Sequence, residues 1–551
     1  MLWSLLLSVR MISKYDRIVR KKAGWTTTVF LDMFRKKKSL KRRYHTEWDF
    51  NHIKAHFSKQ EKTSYTVDDA TWNDLDMDEV YKQIDRTTTT CGQHVLYDWL
   101  RRPLSDAKSL EKRERLIRAT KKKKNKDDII SSLNELGNVT TDVQAVLDGN
   151  FEVKEKTYKL AVYLPLILIV SIIMLILTRA ALIFPIIIAV VIASTIIHYF
   201  VNQHESGYRD SIIYMVRIIV AGKKLVKALE EDMPELAAEL KERCNQCKTI
   251  QKKARIPMNL DAMKSFFLVG YMTDLLDYMF LIRTRNSYKL ANEIKKNTDS
   301  LKAIFSLVGD IDAALSVATI RHMAGEWCKP TFTDEAYVLE AKGVFTPLLP
   351  DPIPNDIDYK YKGMMLTGSN MSGKSTYLRS VGQNVIFAQS IHTCFAECYH
   401  ASFYHVMSSI RINDDITQGT SYYFSEAKRV LEIIEEVESE TQTLVIIDEM
   451  LRGTNDTERR HICIEVLNRL AKKNCRVIIA THDTGIAPEL SDYDYRFFHS
   501  IVVNGDLKFE YHMQEGVCPD GNAVDVIAYL GYPEDIVQPI RRKIKEEEAI
   551  R

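Results

Sequence analysis

The run from Leu160 to Val201 constrains this chain most: it is apolar almost without interruption, and its only charged residue is Arg179. Such a run is too long for one core helix, and about 20 residues suffice to cross a hydrocarbon layer. Leu160 to Thr178 and Ala180 to Phe200 each fit one crossing, with a tight turn at Arg179, which then lies at the far interface where a charge costs least. Pro165 and Pro185 are compatible with this, because neighbouring groups re-satisfy the freed backbone in membrane helices. Lys154, Lys156 and Lys159 precede the run and Arg209, Lys223 and Lys224 follow it, so the positive-inside tendency puts both ends in the cytoplasm. The expectation is a two-helix transmembrane hairpin over residues 158–203 that makes the chain a multi-pass membrane protein. A hairpin buried in protein is the alternative.

With 46% hydrophobic and 27% charged residues, the remainder can bury a sizeable core in several domains. The formal charge of +3 is small, so a basic surface has to come from local clusters. One lies between Arg10 and Arg43; the other is Lys121 to Lys124 with Lys126. They read equally as solvated charge or as contacts for anionic lipid or nucleic acid. Nine scattered cysteines argue against an oxidised framework and fit a reducing compartment. Cys244 and Cys247 form a lone CxxC without a second pair, a weak basis for metal or redox chemistry. Residues 1–76 read as a basic arm, whose opening Met1 to Val9 lacks the marks of a signal peptide. Residues 77–150 and 204–330 carry helical spacing, as in Leu96, Trp99 and Leu100 or Leu225, Leu229, Leu236 and Leu240. Phe266 to Met272 is flanked too closely by Asp261, Lys264, Asp274 and Asp277 for a span and reads as core. Over residues 331–551, β-branched runs alternate with helices, the mark of an α/β domain with a largely parallel sheet.

That last region holds a full GxxxxGK[ST] motif, Gly368, Ser369, Asn370, Met371, Ser372, Gly373, Lys374 and Ser375, followed by Thr376. An apolar strand-like segment precedes it and a helical one follows. In this context the glycines let the backbone wrap phosphates, the helix N-terminus faces their charge, Lys374 reaches the β and γ phosphates of ATP, and Ser375 ligates Mg²⁺. Leu444 to Ile447 is a buried-strand run ending in Asp448 and Glu449. Asp448 is the second metal-binding candidate, and Glu449 is placed to activate the attacking water. Val477 to Ala480 forms a further strand ending in Thr481 and His482, the latter a candidate sensor of the γ-phosphate.

These residues resemble the MutS family of DNA mismatch repair. The family's loop reads close to GPNMGGKST, and Asn370-Met371 is the specific part of the match. Its signature stretch is matched by Asp414-Asp415-Ile416, Gly419-Thr420-Ser421-Tyr422-Tyr423 and Glu426. Cys328 to Phe332, Pro354-Asn355-Asp356, Arg452-Gly453-Thr454 and Gly531 to Ile536 fit as well, and Asp85 to Thr89 with Gly92, Trp99 and Leu100 resembles the start of the family's lever. The resemblance implies a P-loop, ABC-type α/β ATPase domain preceded by an all-α lever-like region, here containing the hairpin. It also implies ATP and Mg²⁺ as ligands, a homodimer in which Ser421 reaches the partner's γ-phosphate, and DNA as a partner. Departures narrow this. Residues 1–76 are too few for the mismatch-reading domain, the first 150 residues contain no Phe-x-Glu wedge, and the hairpin stands where lever and clamp sequence is expected. Leu451 replaces the glycine usual after the acidic pair. Three readings follow: a membrane-anchored MutS-like ATPase with its ATPase domain in the cytoplasm, a transporter-like or membrane-remodelling machine, and an ATPase tethering DNA to the membrane through the basic clusters.

Overall fold

In the computed structural model, residues 48–151, 155–205, 208–254, 275–369, 371–411, 422–503, 506–518 and 531–550 are described, with positions 524, 527 and 528. The chain opens with helices α1 (Phe50–Phe57), α2 (Asp69–Asp74), α3 (Met77–Ile84), α4 (Thr90–Arg101), α5 (Ala107–Lys121), α6 (Lys123–Leu136) and α7 (Val143–Leu147). Side-chain caps start several of them: Asp68 accepts from Thr71 N–H, Thr89 from Gly92 N–H and Asp106 from Ser109 N–H, each satisfying a donor that a helix end leaves open. Residues 48–76, expected in the basic arm, are instead part of the folded body. Ile53, Val67, Trp72 and Leu75 are buried, Trp72 packs 4.8 Å from the Tyr97 ring, and the Arg101 guanidinium lies over Phe57 and Trp72. Two helices this short give no periodic signal, so the arm's basic composition dominated the sequence pattern. Residues 1–47, with the basic cluster before Arg43, lie outside the described residues, as do Phe266 to Met272.

The apolar run forms α8 (Glu155–Thr178) and α9 (Phe184–Glu205). Arg179 takes a left-handed backbone (φ 53°) and its N–H donates to Leu175 O, ending α8 just before a short 3₁₀ turn at Ala181–Ile183. The hairpin is not buried in the described protein: Val170 is 58% exposed, Leu177 74%, Leu182 85% and Ile192 54%. Its inner face mixes small and larger residues, with Ala161, Pro165, Leu168 and Ser171 of α8 and Val190, Ser194 and His198 of α9 buried. Both helices are long and apolar enough to cross a membrane.

Next come α10 (Arg209–Leu229), α11 (Pro234–Gln246), α12 (Ile282–Lys296) and α13 (Thr298–Met323). Helix α13 also has the length and composition of a span, but Ile304, Phe305, Val308 and Ile311 are buried in the core of the helical body. At the base of the hairpin, Tyr158 stacks on Tyr288 of α12 at 4.1 Å, and His198 faces the buried Asp277, which caps Arg283 N–H at 2.6 Å.

The remainder contains β1 (Thr331–Phe332), β2 (Leu339–Val344), β3 (Asn355–Ile357), β4 (Gly363–Gly368), α14 (Lys374–Ile391), β5 (Cys398–Ala401), β6 (His405–Ser409), α15 (Tyr422–Glu436), β7 (Thr443–Asp448), α16 (Asp456–Ala471), β8 (Cys475–Ala480), β9 (Tyr493–Val503), β10 (Asp506–Glu515) and α17 (Glu534–Ile550). The larger sheet has the order β10-β9-β4-β8-β7-β6 and is parallel except for β10. Strands β4, β7 and β8 are buried along their whole length, as parallel strands covered on both faces must be. Alternate residues serve two cores. Met364, Leu366, Leu444, Ile446 and Ile478 pack towards α14 and the helical body, while Met365, Val445, Ile447, Val477 and Ile479 pack towards α15 and α16. A second sheet, β1-β5-β2-β3, was not anticipated from the sequence.

Candidate functional site

The C-terminal ends of β4, β7 and β8 lie side by side, since Leu366 pairs with Ala480 and Ala480 with Asp448. The crevice beyond such strand ends is where open α/β sheets bind ligands. The loop between β4 and α14 needs its glycines. Gly368 (φ 139°) would place a Cβ 2.6 Å from Phe498 O, and Gly373 (φ 107°) one 3.2 Å from the Tyr511 ring. Met371 is also left-handed, at φ 66°. The Ser369 and Ser372 hydroxyls are buried without a hydrogen-bond partner among the described residues.

Lys374 Nζ is turned into this loop, donating to Gly368 O at 2.7 Å and Ser369 O at 2.8 Å, and stands 3.5 Å from His482 Nε2. Burial pushes its pKa down to about 8, against the pull of Asp448 and Glu449. Ser375 Oγ donates to Asp448 Oδ2 at 2.5 Å. Glu449 is held from two sides, by His482 Nε2 at 2.6 Å and Arg452 Nε at 2.8 Å. The hydrogen bond from His482, opposed by partial burial and reinforced by the Arg452 charge, keeps its carboxyl below the ordinary range. The backbone supports this placement: Glu449 is left-handed at φ 57°, and its N–H donates to Ala480 O at 2.9 Å.

Glu426 of α15 organises the turn that follows. Its carboxylate accepts from Leu451 N–H at 2.5 Å and Arg452 N–H at 3.0 Å. Leu451, standing where the resembled family has glycine, is left-handed at φ 58°, a conformation costing roughly 1–2 kcal/mol. Its side chain is buried in the second core, and burying a leucine contributes about 1.5–3 kcal/mol, so the strain is offset. A further arrangement had no sequence signal. Buried Asp74 accepts from Ser408 Oγ and from the N–H groups of Ile410 and Arg411, while Asp76 pairs with Arg411 and with Arg379 of α14. The helical body thus grips α14 and the end of β6 at one point.

Of the residues singled out in the sequence, Gly368, Ser369, Met371, Ser372, Gly373, Lys374, Ser375, Thr376, Asp448, Glu449 and His482 come together around this crevice. Asn370 and Ser421 lie outside the described residues. All but Gly368 line or border a cavity of about 890 Å³ that also takes in Arg379, Arg411, Arg452 and Tyr511. Arg452 was legible only as part of a family motif, and its pairing with Glu449 was not. The serine hydroxyl bonded to a carboxylate, beside two hydroxyls without a partner among the described residues and a lysine at a helix N-terminus, is a donor set that fits a divalent cation and phosphate oxygens. Cys244 and Cys247, by contrast, are buried and pushed up to about 12 and about 11 by that burial, and among the described residues they join no cluster of three or more His, Cys, Asp or Glu side chains that could hold a metal ion.

The protein class defined here is a mixed α/β domain with a glycine-rich loop at its strand ends, fused to a helical body. The chain belongs to the MutS family. The family model for MutS domain III matches residues 70–318 and that for MutS domain V residues 364–548. Similar proteins include an Endonuclease MutS2 of Halalkalibacterium halodurans, 26% identical over 47% of this chain and 33% of its own length. Another Endonuclease MutS2, from Lactobacillus helveticus, is 30% identical over 40% of this chain and 29% of its own. The DNA mismatch repair protein MutS of Thermosipho melanesiensis is 28% identical over 45% of this chain and 31% of its own. The chain thus spans about a third of the length of these relatives.

Proposed function

We propose that this chain is a membrane-anchored ATPase of the MutS type that binds and hydrolyses ATP and couples it to movement of its helical body and hairpin. The observation that carries the nucleotide half is the convergence of Lys374, Ser375, Asp448, Glu449 and His482 at three adjacent strand ends. In this reading Lys374 leaves the loop carbonyls for the β and γ phosphates, while the buried hydroxyls of Ser369 and Ser372 and the N–H groups at the start of α14 complete the cradle. Ser375 and Asp448 hold Mg²⁺, which supplies neutralising charge for the phosphates. Glu449 orients the attacking water and takes its proton, and His482 fixes the carboxylate and meets the γ-phosphate side. Ser421 completes the site of a second copy, making the working unit a homodimer.

The hairpin's outward apolar surface supports the membrane half, since a soluble protein rarely exposes so continuous a patch. Lipid is the partner of that surface, and the ATPase domain faces the cytoplasm. A DNA-binding role draws on the names of the relatives, and the described basic cluster adds little to it. Lys122 pairs with Asp232 and Lys124 with Glu231, with Asn125 also bonded to Asp232, so two of the cluster's five lysines are already paired within the fold. Mismatch reading is not part of the proposal.

The test of nucleotide binding is equilibrium titration of the detergent-purified full chain with ATP and Mg²⁺. Lys374→Ala is expected to weaken binding roughly 10–100-fold, the equivalent of a charge-assisted hydrogen bond or two. Equal affinity in the two proteins would remove Lys374 from the site.

A further inference from the structure

We propose that Cys328 and Cys394 form a redox-sensitive thiol pair, oxidised to a disulfide that staples the end of α13 to the end of α14. The two residues face one another across an isolated antiparallel bridge. Cys328 N–H donates to Cys394 O at 2.9 Å and Cys394 N–H returns the bond at 3.0 Å. Residues in such a pair stand about 5.5 Å apart at Cα, inside the roughly 4.4–6.8 Å that a disulfide spans. Their Cβ atoms, about 4.5–5.5 Å apart in an antiparallel pair, must close slightly to the roughly 3.5–4.5 Å of a disulfide. A lone bridge, with no neighbouring ladder pairs to hold its register, can do this.

The chemistry of the two thiols differs in a useful way. Cys328 is half-buried and reachable from solvent, whereas Cys394 is fully buried. A hydrogen bond from Cys394 draws the Cys328 thiol below its ordinary pKa, while burial pushes Cys394 well up. Cys328 is therefore the entry point, since the thiolate is the attacking species. With a low-molecular-weight disulfide as oxidant, the Cys328 thiolate attacks one of its sulfurs and releases one small thiol, leaving a mixed disulfide on Cys328. Cys394 then attacks Cys328 Sγ and releases the second small thiol. Two protein thiols have lost two electrons and two protons, and the small disulfide has been reduced to two thiols.

The place matters as much as the pair. Just ahead of Cys328, Arg321 of α13 donates to the carbonyls of Ile391 and His392 and to Thr393 Oγ1, the segment that runs from the end of α14 to Cys394. Helix α14 begins at Lys374, so a covalent staple here fixes the joint between the helical body and the helix that carries the glycine-rich loop. The expected consequence, slower turnover in the oxidised form, rests on the ATPase reading above; formation of the bond does not.

The experiment is native incubation of the reduced, detergent-purified full chain with oxidised glutathione, followed by alkylation and non-reducing peptide mapping. A peptide linking Cys328 to Cys394 should become the dominant oxidised species, vanish on reduction, be lost in Cys328→Ser and persist in Cys398→Ser. Oxidation should lower ATP turnover several-fold in the wild type, reversibly, and leave Cys328→Ser unchanged. A stable glutathione adduct on Cys328 with Cys394 still free, or no reaction at Cys328, would overturn the pair. Linkage without any change in turnover would overturn the staple's effect on the joint. A wild type without turnover would count against the ATPase reading, and the linked peptide would still decide the pair.

Discussion

Glu114 on α5 is buried and faced by basic side chains: both terminal nitrogens of Arg321, at 3.1 and 2.7 Å, Arg118 Nε at 2.8 Å and His392 Nδ1 at 3.6 Å. Burial alone would raise its pKa, but the close approach of the His392 ring, the hydrogen bonds from Arg321 and the Arg321 charge win and hold it well below the ordinary 4.5. A carboxyl depressed on folding contributes stability that is complete above its unfolded value and is lost as pH falls through the folded one. Glu114→Gln leaves Arg321 buried without its counter-charge, expected to cost roughly 3–5 kcal/mol near neutral pH. The gap between variant and wild type, read as denaturation midpoints by tryptophan fluorescence, should narrow as pH falls below 4.5. A gap that stays constant on acidification would mean Glu114 is not held as an anion.

Among the helices, α4 and α13 make the closest approach that glycine permits. A Cβ on Gly309 would lie 2.4 Å from Val95 Cγ2 and 2.7 Å from Cys91 O, and one on Gly92 would lie 2.3 Å from Asp312 Oδ2. Asp312 in turn accepts from the Thr88 and Thr89 N–H groups, both at 2.9 Å. Gly309→Ala gains about 1 kcal/mol of helix propensity but forces overpacking worth about 1–3 kcal/mol against backbone that cannot yield. A lowered melting temperature is expected, and an unchanged or raised one would contradict the close contact.

The sequence was most legible where pattern and chemistry coincide. Leu444 to Ile447 and Val477 to Ala480 are buried strands ending at Asp448 and at Thr481-His482, and the hairpin is two helices that break at Arg179. It was least legible where contacts are long-range. Asp74 is an ordinary acid in sequence, and only folding brings it to Ser408 and Arg411. Residues 48–76 were hidden by short helices in basic surroundings. The four-stranded sheet was hidden because strands of two to six residues carry no clear period.

At the scale of the whole molecule, the exposed hairpin and the crevice sit on one continuous framework. Helix α8 meets α12 at Tyr288 and α9 meets Asp277 just ahead of α12, α12 leads into α13, and Arg321 in the last turn of α13 lies against the close of α14. If the hairpin lies in lipid, Val170→Lys with Ile192→Lys should prevent it, because a lysine near the centre of a span costs about 2.5–3.5 kcal/mol. Alkaline extraction of membranes should leave the wild type in the pellet and release the double variant. Release of the wild type as well would place the hairpin against protein instead. The most direct test of the central claim is Mg²⁺-dependent ATP hydrolysis by the detergent-purified chain, wild type against Glu449→Gln, with and without duplex, mismatched and single-stranded DNA. Wild-type turnover that falls about 10²–10⁴-fold in the variant, as loss of a general base does, and that ignores every DNA is the expected result. No hydrolysis by the wild type, or equal hydrolysis by both, would contradict the account.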